Sequence, residues 1–335
     1  MHLSTQFTNR SANFDDIPMI VAMLNQTTNS EQDSFFVEDM QTEWRTPDFD
    51  VSSSVQLVFS ENNGLVGYIE VWDIDNPPVR PTIWGRVHPD FKRQGIGSYL
   101  MTWAENRTKQ AITRCPDDVR VAYQCGCDNH HSETQKLFES MGLRYYQDSW
   151  DMEITLTEEP PPITAPDDFI IRDYRHPDEF REVILANEEA FEDHFGYVKK
   201  TPEQHLEQWK HLIDTDSYFD PSVWFVAEHI ESGEIAGVSI CRPRAWTDPH
   251  KAYLGSLSVR RPYRRNGLAM ALLKHTFRAF WLRGTTTISL SVGADNLTGA
   301  TKLYEKAGMC VTRHLMMYEK ELRAGREYAT TTIDA

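Results

Sequence analysis

Apolar residues recur along the chain in two rhythms, an alternating beat in short runs and a three-to-four-residue beat in longer ones. The first predicts strands and the second helices. In the first half, Gln6-Phe7-Thr8, residues 55–59 and 65–72, a run ending at Val87 and residues 119–123 read as strands, with Glu61-Asn62-Asn63-Gly64 turning a hairpin. Residues 14–24 read as an amphipathic helix with Ile17, Ile20, Val21 and Leu24 inward. A helix from Ile96 to about Lys109 places Leu100, Trp103 and Ala104 inward, and residues 135–141 make a shorter one. Residues 25–54 are polar, with Phe35, Phe36 and Trp44 as anchors of helical turns. Two strands, around Tyr145 and Met152, close the half.

Pro160, Pro161 and Pro162 interrupt every rhythm, because proline lacks the amide donor of a ladder and clashes within a helix. Residues 158–168 therefore read as a linker between domains at 1–157 and 169–335. The second half repeats the order of the first: a strand at 169–172, a helix over 178–192, and another opened by Thr201-Pro202-Glu203. A hairpin of 223–228 with 235–241 follows, then a strand ending at Val259 and a helix after Gly267 with Ala269, Leu273, Phe277 and Phe280 inward. A strand at 288–292, a helix over 298–306 and closing strands to about Leu322 finish the pattern, leaving the last dozen residues as a frayed tail.

The repeat is sharpest around two glycines. Val87-His88-Pro89-Asp90-Phe91-Lys92-Arg93-Gln94-Gly95-Ile96-Gly97 matches Val259 to Ala269 at a constant offset of 172, pairing Lys92 with Arg264, Arg93 with Arg265, Gly95 with Gly267 and Gly97 with Ala269. Each is a strand, a basic turn and a helix start. The first helical turn has amide N–H groups without partners, and small residues admit a ligand close to the backbone, so each forms an anion site suited to a pyrophosphate.

Both stretches resemble the acyl-CoA signature of the GNAT N-acetyltransferase superfamily, a basic residue or Gln followed by xxGxG or xxGxA. Residues 295–308 resemble the family's NxxAxxLYEKxGF pattern closely, and residues 131–142 resemble it more loosely. The tandem layout is similar to that of mycothiol synthase and related two-domain acetyltransferases. The resemblance implies an α/β (α+β) fold of two GNAT-like domains, each a mixed, mainly antiparallel sheet flanked by helices, with acetyl-CoA as co-substrate and no metal. In the second domain it implies pyrophosphate contacts from Arg264, Arg265, Asn266, Gly267, Leu268, Ala269 and Met270. Leu257 and Val259 would lie beside the pantetheine arm, Asn296 would contact CoA, and Tyr304 would protonate the departing thiolate. In the first domain the matching set is Val87, Arg93, Gln94, Gly95, Ile96, Gly97 and Ser98.

The halves differ at the tyrosine: at an offset of 166 its counterpart is Phe138, which has no hydroxyl, and Asn296 falls opposite His130. The second half is thus expected to catalyse and the first to be degenerate. The resemblance implies direct acetyl transfer to a small-molecule primary amine in a ternary complex. A non-catalytic acyl-CoA sensor, another acyl group or a hydroxyl acceptor are the alternatives. The general base stays open, because the strand 252–256 has no carboxylate. Tyr253, His250, Glu228 and the acidic stretch Glu188, Glu189, Glu192 and Asp193 are the candidates. That stretch is either a lure for a cationic amine or a solvated helix end.

Composition narrows the partners. A net charge of −16 argues against nucleic acid as a general partner. Residues 1–157 hold 12 Lys+Arg against 23 Asp+Glu and the remainder 22 against 27, so the two anion loops are basic islands in acidic surroundings. Five cysteines without regular spacing, the tight Cys125-Gly126-Cys127 included, read as free thiols rather than a disulfide frame or zinc knuckle. No apolar run approaches about 18 residues and the N-terminus lacks a signal pattern, so the expectation is a cytoplasmic protein off the membrane.

Overall fold

A computed structural model describes residues 3–28, 34–294 and 299–330. In the first half the chain runs through β1 (Phe7–Ser11), α1 (Ile17–Asn25), α2 (Val37–Trp44), α3 (Val51–Ser54), β2 (Val55–Ser60), β3 (Leu65–Trp72), β4 (Thr82–Val87), α4 (Ile96–Thr108), β5 (Val121–Asp128), α5 (Ser132–Ser140) and β6 (Arg144–Thr155). It continues through β7 (Phe169–Asp173), α6 (Phe180–Phe191), α7 (Pro202–Thr215), β8 (Phe225–His229), β9 (Ile235–Arg242), β10 (Lys251–Val259), α8 (Leu268–Leu282), β11 (Thr287–Gly293), α9 (Ala300–Lys306) and β12 (Cys310–Arg323). The paired closing strands expected in each half are one long strand each, β6 and β12.

Two compact units result, Met1–Gln147 with Leu315–Tyr328, and Asp148–His314 with Ala329–Ala335. These are not the segments on either side of the proline-rich stretch. Residues 149–155 of β6 pair antiparallel with β11, from Ser149 opposite Gly293 to Thr155 opposite Thr287. Residues 315–323 of β12 pair antiparallel with β5, from Leu315 opposite Asp128 to Arg323 opposite Val121. Each unit thus takes its last strand from the other half of the chain. Ladder hydrogen bonds are indifferent to sequence distance, so a linker marks where the chain is stiff and not where a unit closes.

The first unit orders its sheet β1-β2-β3-β4-β5 and then the end of β12. Leu57 and Phe59 face Ile17, Ile20 and Trp44, whereas Val58 and Val71 face Ile96, Leu100 and Phe138, which is the alternation a strand imposes. Met101 joins Leu100 and Ala104 on the buried face of α4, and Trp103 packs against the same cluster half-buried. The second unit orders β7-β8-β9-β10-β11 and then the end of β6. Its α8 buries Leu268, Ala271, Leu272, Leu273, Thr276, Phe277 and Phe280, while Ala269 is half-buried and packs against the cluster of Val259, Leu268 and Leu272. The tail is docked as far as Thr330, which exchanges backbone hydrogen bonds with Gly196 and Tyr197 (2.7 and 2.9 Å).

Among the described residues, no helix is long and apolar enough to cross a membrane, and no group of three His, Cys, Asp or Glu is set to hold a metal. Cys115, Cys125, Cys127 and Cys241 are buried free thiols, and Cys310 is an exposed one.

Candidate functional site

In the second unit β10 and β11 run parallel and pair only at Lys251, Ala252 and Tyr253, opposite Thr287, Ile288 and Ser289. Beyond that point they part. On its other edge β10 keeps its ladder to β9, with a bulge between Leu254 and Ser256. A bulge adds an unpaired residue and re-aims the strand after it. The parted stretch, Leu257 and Val259 included, is therefore a strand edge left unpaired by β11, on which the Val259 carbonyl accepts from Arg264 Nε at 2.8 Å. It leads into a short 3-10 turn (Arg261–Tyr263) and then into the N-terminus of α8.

Two left-handed residues shape that loop, Arg265 at φ 68° and Gly267 at φ 88°. A side chain at Gly267 would meet no atom within 4 Å, so its requirement is conformational rather than steric. Asn266 Oδ1 caps the amide of Leu268 at 3.1 Å. Leu268 is buried, Ala269 and Met270 are half-buried, and Asn266 and Gly267 are exposed at the mouth.

Arg264 is bound inward. Its guanidinium reaches Asp193 at 2.6 Å, the carbonyl of Ala190 at 3.0 Å and that of Val259 at 2.8 Å. Arg261 also pairs with Asp193, which is almost wholly buried. Hydrogen bonds from Arg261 and then Arg264 hold the Asp193 carboxyl down at about 2 against the cost of burial. The Arg264 side chain is thus a brace of the loop rather than a group turned to a ligand, and Arg265 is the exposed basic side chain at its mouth.

The acidic stretch is spent internally as well. Glu188 takes His205 and the Trp209 indole, Glu189 takes Arg260, and Glu192 takes Lys199 at 3.1 Å. These pairs correct the picture of four free carboxylates drawing in a cation. Of the other base candidates, Glu228 pairs with Arg172 and His250 is exposed.

Tyr304 stands on α9 in the main core cluster with Leu273, Phe277 and Ile288. It is 8% exposed, and its hydroxyl makes no hydrogen bond among the described residues. Burial, with Tyr253 of β10 as electrostatic neighbour, pushes that hydroxyl up to about 12, so it stays protonated at neutral pH. Asn296 lies outside the described residues.

The first unit repeats the loop. Arg93 has φ 63° and Gly95 φ 84°, and α4 begins at Ile96. Gly97 and Ser98 are half-buried in its first turn, and the exposed Arg93 and Gln94 flank the mouth. Here β4 meets β5 in parallel at Thr82 and Gln124 alone, and its ladder to β3 is unbroken from Thr82 to Val87. Phe138 is buried against Tyr318, their ring centroids 5.4 Å apart.

A strand that parts from its parallel neighbour and feeds a left-handed glycine at a helix start, twice in one chain, agrees with two family matches. Residues 184–309 match the acetyltransferase (GNAT) family and residues 52–144 an acetyltransferase (GNAT) domain. The chain belongs to the GNAT acetyltransferases. It carries two GNAT domains in tandem. Among curated relatives it is similar to the mycothiol acetyltransferase of Mycolicibacterium vanbaalenii, 27% identical over 79% of this chain and 82% of that one. Among solved structures it is similar to a GCN5-related N-acetyltransferase from Sphaerobacter thermophilus, with a TM-score of 0.81 and 29% identity over 98% of this chain and 100% of that one. A tandem GNAT protein from the clavulanic acid biosynthesis pathway shares the fold, with a TM-score of 0.71 and 13% identity over 96% of this chain and 100% of that one.

Sequence reasoning placed both glycine loops at helix starts and Tyr304 on a helix, but it missed Asp193 as the brace of the second loop and His205 altogether. Neither sits in a local motif.

Proposed function

We propose that the second unit transfers an acetyl group from acetyl-CoA to a primary amine of a small molecule, by direct attack within a ternary complex. The pyrophosphate would rest on the amides from Arg265 to Met270, with Arg265 adding charge at the mouth. The pantetheine arm would pair with the free edge at Leu257 and Val259, as an added strand does. Tyr304 would give its proton to the thiolate as the amine takes the acyl group. The observation that carries this reading is the Tyr304 hydroxyl, protonated and without a hydrogen-bond partner among the described residues, on the helix beyond the parted strands.

The first unit is proposed to bind acyl-CoA without catalysis or only to fold, since Phe138 offers no proton. The relatives named mycothiol acetyltransferase support a small-molecule acceptor.

Thiol release from acetyl-CoA across polyamines, amino acids, aminoglycosides, amino sugars and a lysine-rich peptide tests the reading. Turnover with one class identifies the acceptor. Silence across the panel with acetyl-CoA still bound favours a sensor.

A further inference from the structure

An alkyl ammonium has a pKa of about 10, so at pH 7 roughly one molecule in a thousand is the free amine that can attack. The acceptor must lose a proton, and β10 carries no carboxylate to take it. Glu228, Glu189, Glu192 and Asp193 are each held by a Lys or Arg.

One group in this unit has a different character. Glu188 Oε2 of α6 lies 2.9 Å from Nδ1 of His205 on α7, and its other oxygen accepts the Trp209 indole at 3.0 Å. His205 Nε2 in turn lies 3.3 Å from the hydroxyl of Tyr197, on the link between the two helices. A carboxylate at Nδ1 fixes the tautomer and leaves Nε2 as the proton acceptor, the logic of a hydrolase triad. His205 is 7% exposed, and Tyr197 is half-buried. The charged neighbours are Lys200 near Glu188, and Glu192 near Tyr197, with Lys199 beside it.

Asn187, the residue before Glu188, accepts hydrogen bonds from Ser256 and Ser258 at 2.6 and 3.0 Å, on the stretch of β10 from which β11 has parted. Val259 packs against Leu268 and Leu272 of α8. The α6 side is thus the face of the parted strand away from α8 and its anion loop. Asp193, four residues before Tyr197, ties the link to that loop. A second carboxylate–imidazole contact among the unit's described residues, Asp148 with His314, sits on β6 and β12, with β11 between β6 and β10.

We propose that Tyr197, His205 and Glu188 form the proton relay that deprotonates the acceptor amine. This rests on the acetyl-transfer reading above. As the ammonium N–H bond breaks, the Tyr197 oxygen gains that proton and passes its own to His205 Nε2. The freed lone pair attacks the thioester carbonyl. The imidazolium is left against Glu188, where it neutralises the half-buried carboxylate. Tyr197 is the group that meets the substrate, and His205 and Glu188 act through it.

The test compares wild type with His205→Gln, which can still hydrogen-bond both neighbours, and with Tyr197→Phe, which keeps the ring. Each is assayed from pH 6.5 to 10 with the acceptor found in the amine panel, and acetyl-CoA binding is measured by calorimetry. The relay predicts a deficit in kcat/KM of about 100-fold at pH 7, acetyl-CoA affinity unchanged, and a deficit that closes as pH approaches about 10 and the amine deprotonates unaided. An acceptor analogue whose amine is already neutral at pH 7 removes the deficit at that pH. A deficit equal at every pH and for both acceptors overturns the relay and leaves the three side chains as a brace between helices. Wild type that releases no thiol with any amine overturns the acetyl-transfer reading, and the relay with it, before any variant is compared.

Discussion

The two anion loops share a backbone and differ in what surrounds it. Arg93 and Gly95 take the same left-handed turn as Arg265 and Gly267, 172 positions later. Around the second loop, Asp193 clasps Arg261 and Arg264, the strand before it is bulged, and a protonated tyrosine stands in the following helix. Around the first, Lys92 is exposed where Arg264 is braced, the strand has no bulge, and phenylalanine fills the tyrosine's place. Among the described residues Arg93 meets only the exposed Glu133, at 3.6 Å. A phosphate loop is cheap to keep, because a glycine and a helix start maintain it locally. The brace, the bulge and the tyrosine draw on several distant segments, and none has a counterpart at the first loop among the described residues.

The harshest way to break this comparison is to end the chain at His314. The first unit then loses the strand that pairs with β5, and residues 121–128 are expected to lose their amide protection in hydrogen exchange while β11 keeps its pairing to β6. Protected amides at 121–128 in the truncated chain would show that the unit closes without that strand. Next in size, Tyr304→Phe is expected to lower kcat by about 100-fold or more with acetyl-CoA affinity kept. Phe138→Leu should leave kcat unchanged, and an unchanged rate in Tyr304→Phe would strike the tyrosine from the mechanism.

Gly267→Ala and Gly95→Ala sharpen the contrast. Both force a Cβ into the left-handed region with no clash, so each is expected to cost about 1 kcal/mol of stability in denaturant titration. Only Gly267→Ala should weaken kcat/KM for acetyl-CoA, by several-fold. Equal kinetic effects would make the first loop part of the reaction.

The smallest effect is in acid. Asp193 titrates near 2 when folded, below its ordinary value of 3.8, so its contribution is present above about pH 4 and is lost as pH falls towards 2. Asp193→Asn should flatten the stability profile over that window by about 1 kcal/mol, a figure discounted because Arg261 is half-exposed and screened. No counterpart is expected around the first loop.

The repeat, the strand–turn–helix units, the glycines and the tyrosine were legible in the residues because each is local. Thr201-Pro202 announces α7 through a cap that lies within four residues, and Gly267 announces a left-handed turn that few other residues adopt readily. The register of β6 and β12 was not legible. An apolar run states that it will pair, but its partner is set by which edge lies open when the core closes. The same holds for the acidic stretch, whose charges looked solvated until the fold brought Arg261, Arg264 and His205 to them from 17 to 71 positions away. Residue order alone therefore determined two glycine-centred loops at helix starts, and a tyrosine in one half where the other has phenylalanine. Tertiary structure alone decided which loop is braced, which strand closes each unit, and that Glu188, His205 and Tyr197 meet, because those contacts join segments that carry no local signal of one another.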